Sequence, residues 1–181
     1  IMEGFLPQQH ALFWLAVVAP FLLLGIWKIN RLLKEHPERK LLLGLVTAFV
    51  FVLSALKMPS VTGSSSHATG IGLAAILFGP WVAGICAGIV LTFQALLLAH
   101  GGLTTLGANT FSMAIAGPFV SYGIYLLCNR MKVNRKVTVF LACAVGDLFT
   151  YCVTAVELGL AYPSENGGVA ASVIKFLGVF A

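Results

Sequence analysis

Between Lys57 and Arg130 the sequence contains no Asp, Glu, Lys or Arg. A water-soluble domain cannot accommodate so long a stretch, because about a quarter of the residues of ordinary globular proteins are charged. The flanks differ little: hydrophobic residues make up 59% of the chain and charged residues 9%, with a mean hydropathy of +0.97. Such runs are stable where lipid replaces water, and a hydrocarbon core about 30 Å thick takes about 20 helical residues to cross. The runs are continuous rather than alternating every second residue, which excludes a membrane β-barrel. The sequence predicts an all-α membrane protein, a bundle of about seven transmembrane helices in the lipid bilayer, with residues 1–181 forming a single transmembrane domain.

Breaks in the apolar pattern set the expected spans. They cover 10–27, with Pro20 tolerated inside, then 41–56, 81–99, 109–128 and 137–160, with a last helix opening at Val169. Residues 69–79 are too few to cross unaided and end at Gly79-Pro80, so a short or broken helix is expected there. The final segment is still apolar at Ala181, and the natural chain is expected to continue beyond it. The opening I-M-E-G-F-L-P-Q-Q has neither the basic leader nor the apolar core of a signal peptide.

Nine of the eleven Lys and Arg residues fall in two segments, 28–40 and 130–136. Short segments rich in these residues stay cytoplasmic, so both are expected inside. Parity then puts the start of the chain outside, together with the loops holding His67, His100 and Glu165. His36 lies among the inside basic residues as a solvated loop residue. The net charge of +5 has this topological use, and no nucleic-acid partner is implied. Cys86, Cys128, Cys143 and Cys152 lie in or beside apolar segments, the pattern of buried thiols rather than of a disulfide framework or zinc site.

Gly84-x-x-x-Gly88, Ala83-x-x-x-Ala87 and Gly70-x-x-x-Ala74 place small residues one turn apart. Such strips let helices approach closely in lipid, either within the bundle or against another membrane subunit.

With no Asp, Glu, Lys or Arg between 58 and 129, the chemistry expected in that stretch is histidine chemistry. His67 follows Ser64, Ser65 and Ser66 among glycines, so the backbone can turn tightly and hydroxyls can orient the ring. It precedes the broken helix, the arrangement by which membrane transporters present a site. Gln94 and Asn109 are amides at depth and must belong to a hydrogen-bonded network, as ties between helices or as part of a site. Cys143, Asp147, Thr150, Thr154 and Glu157 recur at steps of four and three and share one helix face. Asp147 and Glu157 are candidates for a coupling or structural role, and no opposite charge is evident for Asp147. Three function classes follow: a subunit that captures an ion for an ATP-driven partner, an ion-coupled secondary transporter using Asp147 or Glu157, and an intramembrane metalloenzyme using His67, His100 and Asp147. The chain has no phosphate-binding P-loop, no nucleophile elbow and no HExxH, so ATP hydrolysis would belong to another chain.

The opening I-M-E-G-F-L-P, the loop S-A-L-K-M-P-S-V-T-G-S-S-S-H-A-T-G, the joint F-G-P-W and the block F-Q-A-L-L-L-A-H-G-G-L-T-T-L-G-A-N-T-F-S-M-A-I-A-G-P closely resemble the substrate-binding (S) membrane component of cobalt/nickel energy-coupling-factor (ECF) transporters. The form S-V-T-G-S-x-S-H favours the cobalt branch, tied to cobalamin synthesis. The resemblance implies a multi-pass protein of the bacterial cytoplasmic membrane that captures Co(II) or Ni(II) outside as its transported substrate and is itself no enzyme. Implied partners are a transmembrane coupling subunit, two cytoplasmic ATPases and a small accessory membrane protein. The implied ligands are four nitrogens in a plane: the terminal amine, the amide and ring nitrogens of a histidine at the second position, and a loop histidine that falls on His67. The first three belong to a Met-His that precedes the Ile-x-Glu-Gly motif in the family and is not in this sequence. Glu3, Ser66, Gln94 and Asn109 are the residues expected to orient these ligands.

Overall fold

A computed structural model describes residues 1–59 and 65–180, with Pro59, Ser65 and Ser66 described by their backbone alone. Among the described residues seven helices follow one another: α1 (Gln8–Glu35), α2 (Arg39–Ala55), α3 (Ile71–Phe78), α4 (Pro80–Leu97), α5 (Leu106–Arg130), α6 (Arg135–Ala161) and α7 (Gly168–Phe180). α1, α4, α5 and α6 are long and apolar enough to cross a membrane. α3 has 8 residues, about 12 Å at 1.5 Å per residue, and reaches less than halfway through a bilayer core. Gly79 separates it from α4, and Pro80 opens α4 where a missing N–H costs nothing. α5 contains a π-helical turn over Phe111–Ala116.

The first basic segment differs from expectation. α1 does not stop near Trp27 but continues through Glu35, so Lys28, Arg31 and Lys34 lie on the helix, and the turn shrinks to residues 36–38. The apolar residues between them explain this: Ile29, Leu32 and Leu33 pack on Leu43, Val82 and Cys86. The charges stay at the edge of that contact. Arg31 pairs with Glu35 one turn on at 2.7 Å, and the Lys28 ammonium sits 5.4 Å from the centre of the Trp81 ring. Among the described residues before α3, Met58 and Pro59 (β1) pair antiparallel with Ser66 and Ser65 (β2), and His67 follows directly on this short ladder.

The core is built from small residues where helices cross. Val46 and Val50 of α2, Ile71, Ala74 and Ala75 of α3, Ala83 and Ala87 of α4, and Met113 and Ala114 of α5 bury one another. A Cβ at Gly84 would stand 2.6 Å from the carbonyl oxygen of Ala114, so α4 and α5 touch through backbone at that point. Gly88 does not share the role, since a Cβ there would meet only Leu22 Cδ2 at 3.7 Å. Gly70 serves a third purpose: it opens α3 in the left-handed region, with φ 67°, which glycine adopts at no steric cost. Large apolar side chains such as Leu12, Leu23, Leu45, Phe140 and Leu148 remain on the outside, as lipid-facing positions require.

Connections sort to two ends. The start of the chain, the His67 segment and the loops 98–105 and 162–167 meet at one end: Glu3 N donates to Gly101 O at 3.2 Å, and Tyr162 Oη donates to Phe5 O at 2.6 Å. The turns at 36–38 and 131–134 lie at the other end with most of the basic residues.

Gly84→Ala should destabilise the protein by about 1–3 kcal/mol, the usual cost of overpacking, whereas Gly88→Ala should stay within about 0.5 kcal/mol of the parent. Thermal unfolding of the two variants in one detergent measures the difference.

Candidate metal site

α6 is the rod against which the His67 segment is held. Asp147 accepts from Thr69 N at 3.3 Å and from the Thr69 hydroxyl in a short hydrogen bond. One turn on, the Tyr151 hydroxyl accepts from His67 N and donates to His67 O, both at 3.1 Å. Four bonds from two side chains fix the backbone on either side of the imidazole. The His67 segment therefore reaches the level of Asp147, at the middle of α6. The segment descends into the bundle because α3 is short, and Thr69, only 2% exposed, reaches the carboxylate at mid-helix. The partner of Asp147 is a pair of neutral donors, which satisfies a buried carboxylate without an opposite charge. It leaves Asp147 engaged rather than free to join His67 and His100 in a hydrolytic set.

His100 stands edge-on to His67, with ring centroids 5.2 Å apart and planes at 69°. It is placed by the end of α4, where His100 N donates to Gln94 O at 3.2 Å. Gln94 is fully buried, and its Nε2 donates to Ser54 Oγ at 2.6 Å, tying α4 to α2 directly below. Nδ1 of both rings is shielded from solvent and without a hydrogen-bond partner among the described residues. Two imidazoles thus lie side by side with a nitrogen each uncommitted.

The third component is the start of the chain. Asn109, at the first turns of α5, grips Ile1 at both ends: its Oδ1 accepts from the Ile1 nitrogen at 2.6 Å, and its Nδ2 donates to Ile1 O at 2.9 Å. Thr105 Oγ1 adds a bond to Ile1 O at 3.0 Å. Glu3 accepts from Thr104 Oγ1 at 2.6 Å and from Thr104 N at 3.3–3.4 Å. The H-G-G sequence makes this docking possible. Gly101 has φ 78° and would place a Cβ 3.0 Å from Asn109 Nδ2, and a Cβ on Gly102 would come within 2.7 Å of Glu3 Cα.

Electrostatics favour neutral rings. Burial lowers the pKa of His67, with Lys57 acting in the same direction against an Ala68 hydrogen bond and Asp147. Burial likewise pushes His100 down to about 4, helped by Lys57 and His67. The position at which the Ile1 nitrogen is held lies within electrostatic range of both imidazoles and of Glu157. A neutral imidazole has a lone pair to offer a metal ion, and a protonated one has none.

Of the positions singled out from sequence, His67, Asn109, Glu3 and Gln94 come together at this end, Asp147 supports the His67 segment, and Glu157 lies toward Ile1. The side chain of Ser66 is outside the described residues. Sequence reasoning missed Tyr151, Thr104, Thr105 and the pairing of His100 with His67. Tyr151 had a signal, lying one turn after Asp147 on the same strip, whereas nothing local marks Thr104 as the partner of a residue a hundred positions away. No group of three or more His, Cys, Asp or Glu able to hold a metal ion occurs among the described residues. Any ion here has to draw on backbone or terminal nitrogens as well.

Among the described residues, seven helices, one of them of half length, and two imidazoles with an uncommitted nitrogen each at the end where the chain starts define a multi-pass membrane protein with nitrogen donors gathered at one end. The chain belongs to the CbiM family, the cobalt uptake substrate-specific transmembrane region, whose model matches residues 1–181. It is 61% identical to the cobalt transport protein CbiM of Lachnoclostridium phytofermentans, over 100% of this chain and 72% of that protein. It is 59% identical to the protein of the same name from Moorella thermoacetica, over 100% of this chain and 70% of that one. Among solved structures it is similar to a truncated transition metal transporter, with TM-score 0.86 and 31% identity over 98% of this chain and 87% of that one. A second transition metal transporter aligns with TM-score 0.83 and 32% identity over 98% and 82% of the two chains.

Two outcomes follow from the site's geometry. A histidine held neutral by burial takes up its proton less readily folded than unfolded, so stability is intact above pH 6.5 and is lost as the pH falls from there toward about 4. The melting temperature should drop across that window, and His100→Gln should flatten the drop. Tyr151→Phe removes two bonds to the His67 backbone, each worth on the order of 1 kcal/mol. Hydrogen exchange at the His67 amide should accelerate at least several-fold, with the α4–α5 core unaffected.

Proposed function

We propose that this chain is the substrate-capturing membrane component of an ATP-driven, ECF-type uptake system for cobalt, taking up the divalent ion on the extracytoplasmic side. The observation that carries the reading is the convergence of His67, His100 and the Asn109-held nitrogen of Ile1 at one mouth of a membrane bundle. The names of the relatives support cobalt as substrate, and the likeness to transition metal transporters supports transport rather than turnover. Localisation of that mouth to the outside rests on the basic residues gathered at the opposite end.

In this reading His67 supplies a ring nitrogen to the ion. Nitrogens carried immediately ahead of Ile1, which the family resemblance implies, would fall against the imidazoles, because Asn109 and Thr105 anchor Ile1 there. Cobalt(II) and nickel(II) are well served by imidazole and other nitrogen donors, and a planar nitrogen set disfavours zinc and magnesium by geometry. Asn109, Glu3 and Gln94 orient the donors, Asp147 and Tyr151 hold the segment that carries His67, and His100 shields it. Energy comes from elsewhere: a transmembrane coupling subunit, two cytoplasmic ATPases and a small accessory membrane protein complete the assembly.

The test is cobalt uptake by cells expressing this protein with and without its ATPase partners, alongside titration of the purified natural chain with Co(II), Ni(II) and Zn(II). Uptake should require the ATPases, and His67→Ala should weaken Co(II) binding at least a hundredfold. Uptake independent of the ATPases, or unchanged binding by the variant, would overturn the reading.

A further inference from the structure

Charge is the unsolved part of the site. Even with one amide donor that loses its proton on binding, a dication held by otherwise neutral nitrogens keeps a net positive charge, and with Lys57 acting on both imidazoles that charge is expensive to bury unless a negative group lies nearby. Four carboxylates belong to this end. Glu3 is spent on Thr104 and exposed. Asp147 has both oxygens on Thr69. Glu165 is exposed in the loop after α6. Glu157 differs from all three: it is 0% exposed, and neither carboxylate oxygen has a hydrogen-bond partner among the described residues.

Ala161, one turn further along α6, packs in the same cluster as Ile1, and Glu157 lies within electrostatic range of the Ile1 nitrogen, as do His67 and His100. Glu157 sits one turn before the end of α6, ten residues beyond Asp147, or about 15 Å along the same rod. One helix thus holds the His67 segment at its middle and sets a bare carboxylate near the chain's start. A buried, unpartnered carboxylate is costly to the fold on its own, by several kcal/mol where nothing replaces water. Such a residue in a membrane protein belongs with a cationic partner. The group that this end of the protein is built to receive is itself a cation.

We propose that Glu157 is a positioning residue for metal capture: its buried carboxylate supplies the negative charge that offsets the bound divalent ion, acting through the Ile1 end rather than as a ligand. The inference rests on the capture site described above and deepens it. It accounts for a group that otherwise only destabilises the protein, and it makes the pocket selective for charge as well as for donor type.

The experiment uses the natural chain in lipid nanodiscs, titrated with Co(II) and Ni(II), comparing the parent with Glu157→Gln, Glu157→Asp and His67→Ala. Glu157→Gln has the shape of the parent without the charge. It should bind Co(II) at least tenfold more weakly, keep the ligand-field absorption of the bound ion, and melt in the metal-free state at the parent's temperature or above. A merely structural residue would lower the metal-free melting temperature, and a ligand would change the absorption spectrum. Either result overturns the proposal, as does binding within twofold of the parent while His67→Ala abolishes it. That last pattern removes the role of Glu157 and leaves the capture site standing, whereas unchanged binding by His67→Ala removes both. Glu157→Asp keeps the charge and should bind within about fivefold of the parent, so it decides the matter if the Gln variant does not fold. Loss by the Asp variant as severe as by His67→Ala counts against a charge effect.

Discussion

The hydrogen bonds from Thr69 to Asp147 join the two parts of this protein that sequence and topology would keep apart. A polar segment cannot descend among lipid-spanning helices unless its backbone groups find partners there, since water is absent and each unmet group costs several kcal/mol. Asp147 meets the amide and hydroxyl of Thr69, and Tyr151 meets both backbone groups of His67. With these met, α3 can begin deep in the bundle and remain short, and the segment from His67 to Gly70 is held among the helices. The position of His67, and with it everything proposed for the site, depends on that descent.

The small residues beneath serve the same end. Ala74 and Ala75 of α3 and Ala83 and Ala87 of α4 are fully buried against one another, and Gly84 lets α4 lie on the α5 backbone at Ala114. Dispersion contacts between close backbones replace the hydrophobic effect as the source of helix association in lipid. Rigidity follows from that closeness, and so does economy of width: two helices that nearly touch leave room for loops at the mouth. The π-helical turn of α5 begins at Phe111, two residues after Asn109, and carries Met113 and Ala114 into this contact.

Much of this was legible in the sequence because hydropathy, Gly-Pro breaks and the placement of Lys and Arg act locally. The seven segments, the short helix before Gly79-Pro80 and the grouping of loops at two ends all follow from such signals. The end of α1 was misjudged because charge alone suggested a loop, whereas Ile29, Leu32 and Leu33 keep the helical period between the charges and bury it. Long Lys and Arg side chains can leave a helix that stays packed. The site was legible only in part. Histidine in a charge-free stretch marked His67, and amides at depth marked Gln94 and Asn109, but which of them would meet is a property of the fold. The contacts of Thr104 with Glu3 and of Thr105 with Ile1 span about the whole first half of the chain, and no periodicity encodes them.

The absence of charge that identifies the membrane-spanning stretch also governs its chemistry. An imidazole in water near neutral pH divides its time between a protonated form and a free base, and only the free base binds a metal. Here burial penalises the protonated form of both rings, and Lys57, the last charged residue before the charge-free stretch, adds repulsion of the same sign. Protons and metal ions are both cations, yet the two effects do not treat them alike. Burial and Lys57 exclude a proton, whose bond to nitrogen is their sole compensation, whereas a metal ion gathers several nitrogen donors at once and so offsets the same penalty several times over. A partly dry mouth therefore disfavours protonation and keeps the lone pairs of both rings free, and this follows from burial and from how few charges the sequence allows near His67.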